Sequence, residues 1–219
     1  MKRLFLVLLA LIFTFPLLFA AETVLKTDID NKNINAAESD FGNLVADALK
    51  NKANADIAVL PAQSFNLKGT LAAGKFTEDD LKGLLVTPNS AVVILNLSSK
   101  EMFEMFERSV SFIPQGNAAF LQVSGAELVF DSSSPMNSRV VKITINGEEI
   151  SKTDGQKFTV AMPLELGRGG SGYTRIFSES IAGLKMTEYT IIQALREHIK
   201  ELPALELKLE NRIMNNILL

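Results

Sequence analysis

The sequence predicts a mixed fold of the α+β class, with sheets flanked by helices. Apolar stripes at helical spacing alternate with short runs of valine, isoleucine and phenylalanine that are typical of strands. The two patterns mix along the chain without strict order, and no linker or long repeat separates them. The chain has 219 residues, 47% of them hydrophobic, which is enough to bury a substantial core. We therefore expect one domain over residues 22–219.

Residues 1–21 have the layout of a secretory signal peptide. Lys2 and Arg3 give a basic start, residues 4–19 are almost entirely apolar, and Ala20 and Ala21 end the segment. The apolar run is shorter than the roughly 20 residues that span a bilayer, so cleavage is favoured over an uncleaved anchor. The prediction is an exported protein, periplasmic or extracellular, that is free of the membrane after cleavage.

The composition argues against several kinds of site. The sequence has no cysteine and one histidine, which excludes disulfide scaffolds, thiol nucleophiles and zinc fingers and disfavours histidine-rich metal sites. Its net charge of -3 becomes more acidic once the signal is removed, so it lacks the positive surface that binds nucleic acid or anionic lipid. We expect no metal site and no cofactor in this chain, and no nucleic-acid partner.

Three helix starts occur in the first half of the chain. A polar opening segment over residues 22–36 is expected to hold a strand and a loop, and Ser39 then has the residue type of an N-cap. Thr77 to Asp80 and Ser98 to Glu101 match the spacing of the capping box. The apolar stripe expected after Ser39 consists of Phe41, Leu44, Val45, Ala48 and Leu49.

Apolar runs predict the strands. Residues 57–60 form a short buried strand that Pro61 should end, and residues 91–97 are typical of a strand covered on both faces. Further strands are expected over residues 120–124, 127–130, 140–145 and 158–162. Asn146-Gly147 is a strong signal for a hairpin turn after the third of these.

The last part of the chain predicts one helix and one strand. The helix is expected to begin at Thr187 and to bury Ile191, Ile192, Leu195 and Ile199. Leu205, Leu207 and Leu209 then alternate with charged residues, which predicts a half-buried strand.

Three features are candidates for chemistry. The glycine-rich loop over residues 167–172 either brings backbone N–H groups close to a phosphate or an aromatic ring, or it is only a turn. It lacks the Gly-Lys-Ser/Thr ending of a phosphate-binding P-loop. His198 is expected on the surface near a helix end, because no serine or carboxylate beside it indicates a triad. The acidic group over residues 78–80 is expected to be a solvated helix start.

Six segments in the chain match the motif order of a known family. They are Glu38 to Ala48 (ESDFGNLVADA), Ala55 to Ala58 (ADIA), Phe120 to Gly125 (FLQVSG), Ser138 to Val141 with Asn146-Gly147, Gly169 to Tyr173 (GGSGY), and Asn211 to Ile213 (NRI). Together they resemble the C-terminal domain of the 5′-nucleotidase family, exported metallophosphatases that hydrolyse nucleotides and nucleotide sugars. The resemblance covers nearly all of the chain after residue 22 and implies the fold of that domain.

The resemblance also implies that catalysis and nucleoside binding belong to two different domains of the family's enzymes. In the family, the metals and the catalytic His and Asp groups belong to an N-terminal metallophosphatase domain. The C-terminal domain holds the nucleoside between two phenylalanine rings and binds polar groups through arginines. Only residues 22–38 separate the predicted signal from the first matching helix, so we expect the catalytic domain to be missing and this chain to hold no catalytic residue.

The expected ligand-binding residues come from the same resemblance. Asn66 stands where the family has an arginine, Glu165 where it has a stacking phenylalanine, and Ser171 where its glycine loop has an aspartate. The other phenylalanine is missing from a shortened segment, residues 88–90. Arg168 is the cation that can replace part of the lost arginine function. The full expected set is Asn66, Glu165, Arg168, Gly169, Gly170, Ser171 and Tyr173.

Three functions follow as hypotheses. The first is an exported, non-catalytic module that binds a ligand such as a nucleoside or nucleotide, or that binds a partner. The second is the substrate-specificity subunit of a split 5′-nucleotidase, acting with a separate metallophosphatase chain. The third is a structural role in which the glycine loop is only a turn.

Overall fold

The computed structural model describes residues 23–202 and 204–218, so the predicted signal peptide lies outside the described residues. The helices are α1 (Asp40–Ala53), α2 (Glu78–Gly83), α3 (Ser99–Val110), α4 (Leu164–Gly167) and α5 (Ile191–Glu201). The first strands are β1 (Ile29–Asp30), β2 (Ile57–Pro61), β3 (Thr70–Leu71), β4 (Ala91–Ser98), β5 (Leu121–Ser124) and β6 (Ala126–Phe130). The later strands are β7 (Val140–Ile145), β8 (Glu148–Glu149), β9 (Lys157–Pro163), β10 (Lys185–Thr190) and β11 (Ile213–Asn215).

The strands form three sheets in the described part of the chain. The central sheet has five strands in the order β10-β4-β9-β2-β5, and only the β2–β9 pair in it is parallel. A four-stranded sheet, β11-β6-β7-β8, and a two-stranded sheet, β1-β3, complete the set. Helices lie between strands without regular alternation, so the predicted mixed α+β class is confirmed.

The central sheet is covered on both faces because the side chains of a strand alternate between them. Ile57 and Val59 of β2 pack in one core with α3 and the four-stranded sheet. Ala58 and Leu60 of the same strand pack in a second core with α1, α2 and α5. The prediction that β4 would be covered on both faces holds for its first half, whereas Asn96 is exposed.

The predicted helix starts are confirmed. The Ser39 hydroxyl accepts the Gly42 N–H at the start of α1, and complete capping boxes open α2 at Thr77 and α3 at Ser98. The acidic residues at the start of α2 lie in its first turn, as expected. Asn146 and Gly147 both have positive φ, 53° and 81°, which is the backbone of the predicted hairpin turn.

Three sequence-based predictions were wrong. Thr187 lies within β10, where its hydroxyl donates to the Val92 carbonyl, and the helix begins at Ile191 instead. The alternating leucines do not form a strand, since only Leu205 makes a bridge, although Leu205 and Leu207 are buried and Leu209 is exposed.

His198 is the third wrong prediction, because it is buried rather than on the surface. Only 8% of the residue is exposed, and its Nδ1 lies 3.4 Å from the Asn51 amide nitrogen. Burial lowers the pKa of His198, while the carboxylates of Asp47 and Glu201 act in the opposite direction. The neutral imidazole is therefore the form that the fold favours.

The two described strands that follow residue 179 belong to the same sheets as earlier strands. β10 pairs with β4 and β11 pairs with β6 in parallel. In the ranges that the structure describes, no helix is both long and apolar enough to cross a bilayer. The single domain over residues 22–219 stays a prediction.

Candidate ligand-binding cleft

A cleft of about 340 Å³ opens where two neighbouring parallel strands end. β2 ends at Pro61 and β9 at Pro163, and because the two strands are parallel their carboxyl ends meet at the same sheet edge. Such edges are frequent ligand sites in α/β sheets. We call this space the Glu165 cleft; it is lined by Pro61, Gln63, Ser64, Val86, Thr87, Pro163, Glu165 and Leu166.

Three neutral polar side chains of the cleft have no hydrogen-bond partner among the described residues. They are the Gln63 amide and the Ser64 and Thr87 hydroxyls. Ser64 is only 3% exposed, and its backbone is fixed because its carbonyl accepts the Val86 N–H at 2.8 Å. The Ser64 hydroxyl is not among the fully enclosed unpaired atoms of the described residues, so it stays accessible and can donate to and accept from a ligand.

Glu165 contributes the charge of the cleft. It lies in the first turn of α4, and one of its carboxylate oxygens, Oε2, accepts the Ser90 hydroxyl at 2.5 Å. Ser90 is held by its backbone, since its N–H donates to Thr87 and its carbonyl accepts from Ile191. The other oxygen, Oε1, accepts no hydrogen bond from the described residues. No lysine, arginine or histidine from the described residues lines the cleft.

The apolar part of the lining consists of two prolines with Val86 and Leu166. Pro61 and Pro163 lie at matching ends of β2 and β9, so their rings form neighbouring parts of the wall. Leu166 is fully buried and fixes this part of the wall to the core around α3. The lining of the cleft therefore combines apolar side chains with polar groups that have no partner among the described residues.

The structure places the seven predicted ligand-binding residues unevenly. Glu165 lines the cleft, and Gly170 lies beside it, because a Cβ on Gly170 would be 2.6 Å from the Glu165 carbonyl oxygen. Asn66 lies in a turn, where its side chain donates to the Gly83 carbonyl at 3.0 Å and accepts the Lys68 N–H at 3.2 Å. Their roles in binding stay predictions.

The other predicted residues belong to the body of the glycine loop. Arg168 is exposed, and its guanidinium makes no hydrogen bond or ion pair with the described residues. Tyr173 is fully buried, stacks on Phe177 and donates its hydroxyl to the Ala119 carbonyl at 2.7 Å. Burial raises the pKa of Tyr173, so the phenol stays protonated.

Packing accounts for the glycines of the loop without any ligand. Gly169 has φ 90°, and a Cβ there would be 2.4 Å from the Thr174 Cα. Ser171 also has positive φ, 58°, and its carbonyl accepts the Arg108 guanidinium at 2.9 Å. The loop therefore requires small residues to close on itself, which is the turn interpretation of the sequence pattern; contact with a ligand stays a prediction.

Sequence reasoning missed Gln63, Ser64 and Thr87. In the segment that holds the first two, the resemblance points to Asn66 alone as a binding position, because that is where the family has an arginine. Their position directly after a buried strand was a usable signal, since the end of a strand is where a sheet exposes side chains to ligands. Nothing in the sequence places Thr87 beside them.

A larger cavity lies elsewhere, but its charged groups are already paired. It measures about 410 Å³ between α2 and α5 and is lined by Phe76, Leu81 and Ile199 among others. Across it, the Arg196 guanidinium pairs with Glu78 at 3.3 Å and the Lys200 ammonium, on the same helix, pairs with Glu197 at 3.1 Å. The Glu165 cleft is the better candidate because its hydrogen-bonding groups are unused.

The sequence matches the family described as 5′-nucleotidase, C-terminal domain, over residues 19–179. It is 26% identical over 182 residues to the trifunctional nucleotide phosphoesterase protein YfkN of Bacillus subtilis, covering 80% of this chain and 12% of that protein. It is 24% identical over 192 residues to an apyrase of Aedes albopictus, covering 82% of this chain and 33% of that protein. The chain thus spans a third or less of these two relatives.

The fold is shared with solved structures. The 5′-nucleotidase precursor of Thermus thermophilus superposes with a TM-score of 0.78 at 24% identity, covering 89% of this chain and 39% of that one. This agreement concerns the overall architecture alone. Because the family match extends over most of its residues, the chain belongs to the 5′-nucleotidase C-terminal domain family.

Proposed function

We propose that this chain is an exported, non-catalytic ligand-binding module of its family, with the ligand held in the Glu165 cleft. The observation that carries the proposal is the set of hydrogen-bonding groups without a partner among the described residues, including the accessible hydroxyl of the otherwise buried Ser64, that lines a cavity at the end of two parallel strands. The relatives named phosphoesterase and apyrase support a nucleoside or nucleotide as the first ligands to test.

The placement of acid–base groups supports binding without catalysis. The cleft offers one carboxylate, Glu165, already bonded to Ser90. The single histidine of the sequence, His198, is buried against Asn51 and lines a different cavity, together with Asp40 and Asp47. A general acid or base must lie within hydrogen-bond reach of the proton that it transfers, and Glu165 and His198 do not share a site.

A thermal-shift screen of the mature protein with nucleosides, nucleotides and nucleotide sugars tests the proposal. A ligand at about 100 times its Kd should add about 2.7 kcal/mol of stability. The variant Gln63→Ala should reduce the shift, whereas Gln156→Ala, which changes an exposed glutamine outside the cleft, should leave it unchanged. No shift with any compound contradicts ligand binding and favours the structural role.

An activity assay tests the non-catalytic part separately. The mature chain alone is incubated with AMP or UDP-glucose and Mn²⁺ or Co²⁺, and release of phosphate or sugar phosphate is followed. We expect no turnover above the rate without protein. Turnover by this chain at the rate of a complete nucleotidase would contradict the proposal.

A second candidate is the specificity subunit of a split 5′-nucleotidase. It is favoured by the short span of the chain, which covers 12% and 33% of the two relatives described above. Under this hypothesis a separate metallophosphatase chain gains turnover when this chain is added, and Arg168→Ala reduces the gain because the exposed guanidinium contacts the substrate. No gain in turnover with such a partner would contradict it.

Export is tested on the expressed full-length chain. We expect it to be recovered outside the cytoplasm with an N-terminus at Ala21 or Glu22, which mass spectrometry measures directly. Recovery of an unprocessed chain in the cytoplasm would contradict export.

A further inference from the structure

We propose that the Glu165 cleft selects an uncharged, hydroxyl-rich ligand, such as a sugar or the sugar part of a nucleoside, and discriminates against its phosphate ester. This inference rests on the proposed function, because it names the ligand class of the same cleft. It is argued from three properties of the lining: its charge, its hydrogen-bonding groups and its apolar wall.

The charge of the lining is unfavourable for phosphate. Glu165 is the one ionisable side chain among the described lining residues, and its Oε1 is unpaired. A phosphate monoester carries close to two negative charges at neutral pH, and like charges a few Å apart repel even in water, which reaches the exposed Glu165. Arg168, exposed on the glycine loop, does not line the cleft and leaves the carboxylate uncompensated there.

The hydrogen-bonding groups of the lining match hydroxyls. The Gln63 amide and the hydroxyls of Ser64 and Thr87 can each donate and accept, and the free Glu165 oxygen accepts only. A ligand hydroxyl also does both, so neighbouring hydroxyls can satisfy the whole set. Hydrogen bonds from a hydroxyl to a carboxylate are short and strong. A protonated amine only donates hydrogen bonds, so it would leave the donors of Gln63, Ser64 and Thr87 without an acceptor.

The apolar wall suits the C–H face of a sugar ring. Pro61 and Pro163 contribute apolar rings of restricted flexibility without N–H donors, and Val86 and Leu166 complete the surface. The volume of about 340 Å³ is within the range of small-molecule sites. The cleft offers no aromatic ring among its described lining residues on which a nucleobase would stack, so the sugar part is the portion that the lining recognises.

The test compares four probes by calorimetry at pH 7.5: uridine, UMP, glucose and the diamine putrescine. We expect uridine or glucose to bind and UMP to bind at least about tenfold more weakly than uridine, which corresponds to about 1.4 kcal/mol. Glu165→Gln, which keeps an acceptor for Ser90, should bring the affinities for UMP and uridine within about threefold of each other. The matched control Glu179→Gln, at an exposed glutamate outside the cleft, should leave the tenfold difference unchanged.

The outcomes separate the two proposals. If UMP binds as tightly as uridine, or if Glu165→Gln does not narrow the difference, discrimination against phosphate is wrong while ligand binding stands. If putrescine binds and neither hydroxylated probe does, the ligand class is wrong. If none of the probes, and nothing in the wider thermal-shift screen, binds the wild-type protein, ligand binding itself fails.

Discussion

At the scale of single residues, the glycine loop depends on backbone conformations that other residues rarely adopt. Gly169 combines a positive φ with an approach to Thr174 so close that a Cβ would be 2.4 Å from its Cα. Both the conformation and the contact involve backbone, which cannot move aside as a flexible side chain does. Gly183, a nearby exposed glycine, has no atom within 4 Å of the corresponding Cβ position.

We predict that Gly169→Ala lowers the free energy of unfolding by about 2 kcal/mol or more, because a positive φ and an overpacked contact each cost about 1 kcal/mol or more. Urea denaturation measures the change. Gly183→Ala is the matched control and should change stability by less than about 1 kcal/mol. Equal stability of the two variants would show that the loop is not rigid at Gly169.

Residue identity predicted part of the cleft and could not predict the rest. Glu165 was found because it replaces an aromatic residue in a matching loop. Ser64 and Thr87 were not found, because they become part of one site only when the segments after β2 and before β4 lie beside α4. A serine in a sequence does not show whether its hydroxyl has a hydrogen-bond partner. The lack of a partner among the described residues is the reason why Ser64 is a candidate binding residue.

At the scale of elements, one side chain on β5 positions the start of α1. The Gln122 carbonyl oxygen accepts the Ser39 N–H at 2.9 Å, and its amide nitrogen donates to the Ile34 and Ala37 carbonyls, both at 2.8 Å. Gln122 is fully buried. Three backbone groups in the segment before α1 therefore depend on a residue more than eighty positions later in the chain.

We predict that Gln122→Met, which keeps the length of the side chain, lowers the free energy of unfolding by about 3 kcal/mol or more, since each buried group left unpaired costs about 1–3 kcal/mol. Chemical denaturation measures the loss, and hydrogen exchange should show faster exchange at the Ser39 amide. Gln156→Met, at an exposed position, is the control. A loss below about 1 kcal/mol would mean that water replaces the glutamine.

The helix at the end of the chain shows where local patterns mislead. Thr187 followed by Glu188 has the composition of a helix start, yet this segment pairs with β4 as an edge strand. The capping box that opens α5 consists of Thr190 and Gln193, and it begins three residues after the predicted start at Thr187. The spacing of this capping box was present in the sequence. Pairing with a strand almost a hundred residues earlier decides between the two, and a local pattern does not contain that information.

At the scale of the whole molecule, His198 links stability to pH. It lies on α5 near Asp47 and Lys52 of α1 and Glu201 of its own helix, and burial keeps its pKa below the ordinary value of 6.5. The unfolded chain binds the proton more readily than the folded one in this range. The free energy of unfolding must therefore fall as the pH falls through about 6.5 toward the lower folded-state pKa.

We predict that the wild-type protein is less stable at pH 5.5 than at pH 7.5, and that His198→Gln reduces this difference because glutamine does not titrate. Urea denaturation measures the free energy of unfolding of each protein at both pH values. The quantity compared is the loss of free energy between pH 7.5 and pH 5.5 in the wild type and in the variant. An identical pH dependence in the two proteins would contradict a role for His198.

The motifs that identify the family mostly build the scaffold rather than the cleft. Glu38 accepts the Asn43 amide and the backbone N–H groups of Glu210 and Arg212. The Arg212 guanidinium in turn binds both oxygens of Asp47 at 2.8 Å. These contacts join α1 to the last part of the chain, so the overall fold was predictable from the motifs even though the cleft was not.

This separation of scaffold and cleft has a practical consequence for protein engineering. Gln63, Thr87 and Glu165 are exposed, and the scaffold contacts of α1 do not pass through them. They can be randomised together in a display library while the core and the buried Ser64 remain unaltered. Because the sequence contains no cysteine, binders selected from such a library would need no disulfide and would work equally well in reducing and oxidising compartments.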